Sequence, residues 1–528
     1  MRTPLLLYGL ALAVRLVLIA DFPDPAYPDS FYYVDVARAL HSGLGFNVDF
    51  IWIFPEVGGG IPDVPVLPIP SNAHWMPLAS IVQLPFLAVF GDVAWASALS
   101  FAIIGAVAAP MTWAVAREAG AGRSIAVGAG ILVAIPLLSL VYLVQPDNFS
   151  LYQPLVLGSL WMGARGLKGS HRSFVIAGLL AGLATLSRND GLLVLVALGL
   201  AFAWNRWRAA PRDSAAIPVR AAIGCVALFA LVMAPWWLRQ LAVFGSLSPS
   251  STSGKVFFIR EIGEWNSITT PATLGHLLGQ GPGPLIASRI GGLGAALLIF
   301  VTLVAGFVLA PFMLIGGWAR RRSLDFGPYF LYAGLLFAFS ALISAIHVPG
   351  GTFIHSAVAL APHAYILALE GIAVAVGWVA AQRRTWNAET ATNAFIGAAV
   401  VFAVVAAVAG SFFVHGVWSH SRSKFLDVAA ALDKAGAAVT DRVMSIDASG
   451  TRYWSGRGGV VLVNDPLETI EAVVEAYDIR WLVVDRGDSV HSVAPILDGT
   501  VQPGWLGRPI LSRGQPLELA VYPVQAGR

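Results

Sequence analysis

The side chains in this sequence that could do chemistry are a few charged groups set among long apolar runs. Asp29 opens a stretch that ends at Phe46, in which Tyr33, Val36, Ala37 and Leu40 recur at helical spacing. Asp35, Arg38 and His41 fall on the other face, and Gly43 and Gly45 stop the helix. Asp29 therefore heads a short amphipathic helix, where a carboxylate serves either as an N-cap or as a general base. A second carboxylate, Asp147, sits in Val144-Gln145-Pro146-Asp147-Asn148 between two apolar runs, where it either caps the next helix or has a functional partner. Ser187-Arg188-Asn189-Asp190-Gly191 interrupts another apolar run. Arg188 there suits a phosphate, and an Arg188–Asp190 ion pair is compatible with that use. Lys255 and Arg260 lie in a Ser-, Thr-, Gly- and Pro-rich segment over residues 245–289, which reads as a lid or as a plain connection. Arg239 follows Pro235-Trp236-Trp237-Leu238, a pattern that also suits an interfacial anchor. His347 and His355 flank Pro349-Gly350-Gly351. A carboxylate base and a set of cations that could hold a phosphate are the ingredients of group transfer.

The elements that must position these groups are membrane helices. With 57% hydrophobic and 12% charged residues, the chain is far more apolar than a soluble domain. Its net charge of +3 comes from small Arg/Lys clusters between apolar runs, the pattern of positive-inside loops, so no nucleic-acid partner is expected. The single cysteine, Cys225, excludes a disulfide framework and a Cys-based metal site. Arg15 within the first apolar run, with Leu18 where a small residue is needed, argues for a retained span over a cleaved signal. That arginine is expected to snorkel outward or to face the site.

A span needs roughly 20 apolar residues. On that criterion eleven spans are expected, over residues 4–20, 93–116, 124–143, 150–164, 174–186, 191–204, 221–238, 293–318, 329–346, 356–380 and 394–414. Residues 76–91 are short and are assigned to a juxtamembrane helix in the first outer loop, because a crossing there would flip every later Arg-rich loop. The loops with Arg117 and Arg123, Arg165 to Arg172, Arg206 to Arg220, Arg320 to Arg322, and Arg383 with Arg384 then all lie inside. The N-terminus is cytoplasmic, and Asp29, Asp147, Arg188, Asp190, Lys255, Arg260 and His355 fall outside. After residue 418 the composition becomes soluble, and alternating helices and strands over 419–528 predict a small extracytoplasmic α/β domain behind a catalytic membrane domain over 1–418.

The pattern D-x-x-x-Y-x-x-x-A-x-x-L-x-x-G-x-G-F from Asp29 to Phe46 resembles the first extracytoplasmic loop of GT-C glycosyltransferases, in the bacterial branch related to protein mannosyltransferases and the lipid A aminoarabinose transferase. The resemblance covers about residues 1–414. It implies that Asp29 is the catalytic base and that Asp147 orients the acceptor or binds a metal. It further implies that Arg188 contacts the donor phosphate, with Lys255, Arg260 or His355 assisting, and that Tyr33, Asp190 and Arg239 line the substrate site. Many relatives carry Arg where His355 stands, and a neutral imidazole brings a hydrogen bond but little charge. No nucleotide pocket is needed, because the sugar would arrive already activated on lipid; a divalent metal through Asp29 and Asp147 stays open.

The expected activity is inverting transfer of one sugar from a polyprenyl-phosphate donor to an extracytoplasmic lipid, glycan or protein at the cytoplasmic membrane. Two alternatives stand beside it. A transporter or flippase of lipid-linked saccharide would show charges within spans or repeated halves. A ligase using a lipid-pyrophosphate oligosaccharide would need recognition of a second phosphate.

Overall fold

A computed structural model describes residues 2–208, 216–247, 250–344, 352–383, 385–487 and 491–525. Arg212, His347 and Arg384 lie outside these residues. The chain forms two compact units. One is helical and comprises the segment up to Asp24 with Trp75–Leu238 and Ser288–His415; the other comprises Pro25–His74, Arg239–Ala287 and the chain from Gly416 on.

Six described helices are long and apolar enough to cross a membrane: Arg2–Asp21, Ala94–Glu118, Val219–Phe244, Pro282–Val304, Phe353–Gln382 and Ala388–Lys434. Shorter apolar helices include Arg123–Ser139, His171–Ser187 and Gly327–Leu342. Prolines set several of the breaks. The run expected over 93–116 divides into Ala94–Gly105 and Ala108–Glu118, because the ring of Pro110 excludes the carbonyl of Ala106 from the helical ladder. The run over 124–143 stays α-helical only to Ala134; Pro136 follows, and the chain continues as 3₁₀ turns at Leu137–Ser139 and Val141–Val144.

Small residues let the helices of this unit approach closely, as expected where lipid removes the hydrophobic drive to associate. A Cβ on Gly316 would stand 1.9 Å from the Leu367 carbonyl oxygen, and one on Gly371 would stand 2.0 Å from that of Phe312. Helices Ala310–Arg320 and Ala361–Gln382 therefore cross with backbones in contact. Arg320 and Glu370 add a forked ion pair to the same crossing, with Arg320 Nε 2.7 Å from Glu370 Oε2. Arg15 does not snorkel. It is fully buried, and one terminal nitrogen donates to the carbonyls of Ala11 at 3.0 Å and Ala134 at 3.4 Å.

The second unit is built on a six-stranded sheet in the spatial order Phe50–Ile51, Gly459–Val461, Arg442–Ser445, Ile479–Asp485, Leu519–Pro523, Leu511–Arg513. The first four strands run parallel and the last two pair antiparallel. Helices Ala448–Ser455 and Leu467–Ala476 make the crossovers between parallel strands. Phe50 pairs with Gly459 and Ile51 with Val460, so a strand from the first loop completes a sheet made mostly from the end of the chain. Gly459 is required there, since its Cβ would stand 1.8 Å from the Val443 carbonyl oxygen. The helix expected near residues 425–435 is the end of the 47-residue helix Ala388–Lys434. Its Val428 and Leu432 pack on Val443, Val483, Leu519 and Val521 of the sheet.

Candidate functional site

In the helical unit, three turns meet in a buried polar cluster. The first lies between the 3₁₀ turn Val141–Val144 and helix Phe149–Leu167, where Pro146 stops helix continuation and leaves Asp147 in the connection. Asp147 is fully buried, and its Oδ1 accepts from the backbone N–H of Asn148. The second turn, Asn189–Gly191, separates helices His171–Ser187 and Leu192–Arg208. Gly191 packs against the backbone of Ala184 and Thr185, where a Cβ would come within 2.6 Å. The third is the helix Thr352–Ala357, which precedes the short turn Val358–Leu360.

Side chains link these turns. His355 Nδ1 lies 3.5 Å from Asp147 Oδ2, and its ring stacks on Phe149 at 4.5 Å between centroids with 19° between planes. Arg188 Nε donates to Asp190 Oδ1 at 2.9 Å, with side-chain exposures of 13% and 3%. Asp190 Oδ2 accepts from the Ser356 hydroxyl. Nearby, the hydroxyls of Tyr152 and Tyr332 meet at 3.0 Å, and Gln153 Nε2 donates to the Val358 carbonyl at 2.9 Å. A guanidinium, two carboxylates and an imidazole are thus held together inside an apolar unit. Such a centre can take a phosphate on its cationic side and hydroxyl groups on its acceptor side. Asp147 and His355 also bring an oxygen and a nitrogen into the range of a shared divalent ion.

In the α/β unit, the helix that carries Asp29 runs from Pro28 to His41. Asp29 is not the cap: Tyr27 precedes the helix and Pro28 is its first residue. The Ser30 hydroxyl accepts from the N–H groups of Ala26 at 3.0 Å and Tyr27 at 3.1 Å, and donates to the Tyr27 carbonyl at 2.7 Å. Asp29 falls in the first turn, where the helix dipole favours a carboxylate. Tyr33, Val36 and Ala37 are buried as the spacing predicts, and Tyr33 packs edge-on against Tyr32 at 6.3 Å. Gly43 and Gly45 leave the helix at positive φ, +78° and +72°.

This helix rests on the last part of the chain. Phe31 lies 5.5 Å from Phe425 and 5.3 Å from Tyr453, the Arg38 guanidinium sits 4.4 Å over the Tyr453 ring, and Ser449 Oγ donates to the Pro28 carbonyl at 3.1 Å. Arg452 Nε pairs with Asp49 Oδ1 at 2.7 Å. Burial pushes the Asp35 carboxyl up to about 7, against the pull of Arg38 and Arg452. Burial likewise pushes Glu56 up to about 7, although the N–H groups of Trp52 and Ile53 favour its charged form. Glu56 accepts from the Tyr32 hydroxyl at 3.3 Å and from the Trp52 N–H at 3.2 Å.

Three candidate cations of this unit, Lys255, Arg260 and Arg239, are engaged by backbone carbonyls. The Lys255 ammonium is buried and donates to the carbonyls of Glu264 at 3.0 Å, Ser267 at 2.5 Å and Thr270 at 3.3 Å. Burial lowers its pKa. Arg260 Nε donates to the His276 carbonyl at 2.9 Å. Arg239 donates to the Ser71 carbonyl at 2.7 Å and stands over the rings of Phe46 and Phe244 at 5.2 and 5.3 Å. Asp465, an acid with no motif around it, accepts from Ser267 Oγ and the Ile268 N–H, each at 2.7 Å, and so fixes the same loop. Asn148, Gln153, Ser187 and Ser356 of the helical unit carry no motif of their own. An amide or hydroxyl in an apolar run was their only signal.

Residues 73–238 match the family model for dolichyl-phosphate-mannose-protein mannosyltransferase. No curated protein matches in sequence. Among solved structures, ArnT from Cupriavidus metallidurans bound to undecaprenyl phosphate superposes with a TM-score of 0.56 at 14% identity, covering 98% of this chain and 97% of that one. The oligosaccharyltransferase of Archaeoglobus fulgidus in its apo form gives a TM-score of 0.56 at 15% identity, covering 92% of this chain and 69% of that one. The same oligosaccharyltransferase with a tethered NVT-sequon peptide gives 0.53 at 16% identity, covering 91% and 69%. This is the GT-C fold of membrane glycosyltransferases. The chain is a multi-span membrane protein with that fold.

Proposed function

We propose that the chain is an inverting glycosyltransferase that moves one sugar from a polyprenyl-phosphate donor to a hydroxyl of an acceptor outside the cytoplasmic membrane. The observation that carries this reading is the buried Arg188–Asp190–Ser356 arrangement beside Asp147 and His355, within a unit of GT-C fold. In the proposed step, the Asp29 carboxylate takes the acceptor hydroxyl proton as that oxygen attacks the anomeric carbon. The bond from that carbon to the phosphate oxygen breaks on the opposite face, and its electron pair stays on the lipid phosphate. Arg188 stabilises the charge that develops there, with Asp190 and Ser356 fixing its direction. His355 offers a hydrogen bond, and Asp147 orients either His355 or the acceptor. Lys255, Arg260 and Arg239 shape the loops of the site through their carbonyl partners.

The positive-inside pattern supports eleven spans, a cytoplasmic N-terminus, and an extracytoplasmic active site and α/β domain. Full-length protein reconstituted with labelled polyprenyl-phosphate sugars and candidate acceptors tests the reading by release of polyprenyl phosphate. Asp29→Asn should remove transfer while leaving lipid binding intact. Arg188→Ala should weaken lipid-phosphate binding and slow transfer by roughly 100-fold or more, as loss of a charge-stabilising donor does. Turnover of Asp29→Asn at the wild-type rate, or movement of labelled lipid across vesicles without a new glycosidic bond, would overturn it.

A further inference from the structure

In the α/β unit, the first loop leaves a set of apolar side chains open. Leu44, Ile61, Val64 and Val66 are 67%, 36%, 72% and 54% exposed, and residues 57–72 hold one charge, Asp63. Single exposed apolar side chains are ordinary, but several on one short loop mark an interaction surface. Pro62, Pro65, Pro68 and Pro70 leave four of the ten residues 61–70 without a backbone N–H. Fewer donors lower the cost of taking this backbone out of water. The same prolines deny a partner strand the ladder bonds it would need, which disfavours a protein occupant.

The base of the loop is fixed to the end of a candidate membrane span. Asn47 pairs with Pro70 and Val48 with Ile69. Beside that pairing, Arg239 donates to the carbonyls of Ser71 at 2.7 Å and Phe46 at 3.4 Å, and Gln240 Nε2 donates to that of Asn72 at 2.8 Å. Arg239 belongs to helix Val219–Phe244, which has no charged residue between Arg220 and Arg239. Those two arginines are nineteen residues apart, about 28 Å at 1.5 Å per residue, against a hydrocarbon core of about 30 Å. Arg239 therefore marks one edge of the core. Leu238 and Leu241 next to it are 66% and 48% exposed, as lipid-facing side chains are. Val66 and Val64 stand three and five residues from Ile69, and so within about 11 and 18 Å of it. Leu44 is two residues from Phe46, whose ring lies 5.2 Å from the Arg239 guanidinium. The open apolar side chains are thus within reach of the hydrocarbon edge and of the lipid-facing belt of the helix.

We infer that residues 61–68, with Leu44, form a membrane anchor that inserts its apolar side chains into the headgroup–acyl boundary of the bilayer beside Arg239. The anchor is tied to the helix that carries Asp29, because the Asn72 N–H donates to the Tyr32 hydroxyl at 2.7 Å. Seating the loop in lipid sets the height of that helix against the bilayer, whatever reaction the helix serves.

Spin labelling of the full-length protein in nanodiscs of phosphatidylethanolamine and phosphatidylglycerol tests this. Buried Cys225 is first removed as Cys225→Ala. Nitroxides are then attached at Val64→Cys and, in a second protein, at Val66→Cys; either site carries the test where the other variant does not fold. Leu231→Cys, 68% exposed in the middle of helix Val219–Phe244, is the lipid reference. Val439→Cys, 71% exposed beyond the 47-residue helix Ala388–Lys434, is the water reference. Power-saturation EPR reads collisions with oxygen, which partitions into lipid, and with a nickel chelate, which stays in water. The oxygen-to-nickel ratio at 64 and 66 should exceed that at 439 by roughly 3-fold or more, as expected for side chains about 5–10 Å into the boundary. A ratio equal to that at 439 would overturn the inference by placing the loop in water. Access by neither reagent would also overturn it, because a second copy or another protein surface would then cover the patch. Both of these results leave the proposed transfer chemistry untouched, and absence of transfer leaves the anchor standing.

Discussion

Replacing Glu56 with Gln should remove a pH dependence built into the first loop. Glu56 is 7% exposed, and burial pushes its carboxyl from 4.5 to about 7. Between those values the folded loop holds a proton that the opened loop releases, so stability is full below the lower value and falls as pH rises to the upper one. The shift corresponds to about 3 kcal/mol, at 1.36 kcal/mol per pH unit, or roughly 300-fold in the opening equilibrium. Hydrogen exchange in the peptide around Trp52, whose N–H donates to Glu56 at 3.2 Å, reads the opening directly once the intrinsic rate is divided out. Wild type should lose most of that protection between pH 4.5 and 7.5. Glu56→Gln, which mimics the protonated acid, should lose much less and be better protected at pH 7.5. A residual slope should persist from Asp35, which burial also pushes up to about 7, and should vanish in a variant that adds Asp35→Asn. Protection that is level or rising with pH in wild type, or a Glu56→Gln slope as steep as wild type, would refute the reasoning.

Other perturbations follow from the same geometry. Gly371→Ala should lower stability by about 3 kcal/mol through overpacking, because its Cβ would meet the Phe312 carbonyl at 2.0 Å; Gly334→Ala, with nothing within 4 Å, is the control in a detergent thermal-shift assay. Tyr453→Leu removes the ring beneath Arg38 and beside Phe31, and should loosen the Pro28–His41 helix in hydrogen exchange. On the proposed function, transfer should fall about 5- to 30-fold, the equivalent of 1–2 kcal/mol of lost aromatic and cation–π contact, with lipid binding unchanged.

The helices were legible in the sequence because an apolar run in a membrane protein has few alternatives to a helix, and the Asp29 helix was legible because Gly43 and Gly45 mark its end. The partners of the basic loop residues were not. Lys255 and Arg260 read as phosphate ligands by type, and Arg239 as a substrate contact or an interfacial anchor, but backbone carbonyls carry no residue signature, and those are the acceptors that the structure places around them. Phe50–Ile51 is too short to announce a strand, and its partner Gly459–Val461 lies far away in sequence. The helix Ala388–Lys434 passes through a polar stretch, Ser419-His420-Ser421-Arg422, which looked like a break, because periodic packing of Val428 and Leu432 on the sheet continues it.

The pairing of Phe50–Ile51 with Gly459–Val461 has a consequence for how the molecule is made. A ribosome releases the early strand long before its mate has been translated, and so the lobe cannot mature while synthesis is under way. Until Gly459–Val461 has emerged, that segment must wait unpaired.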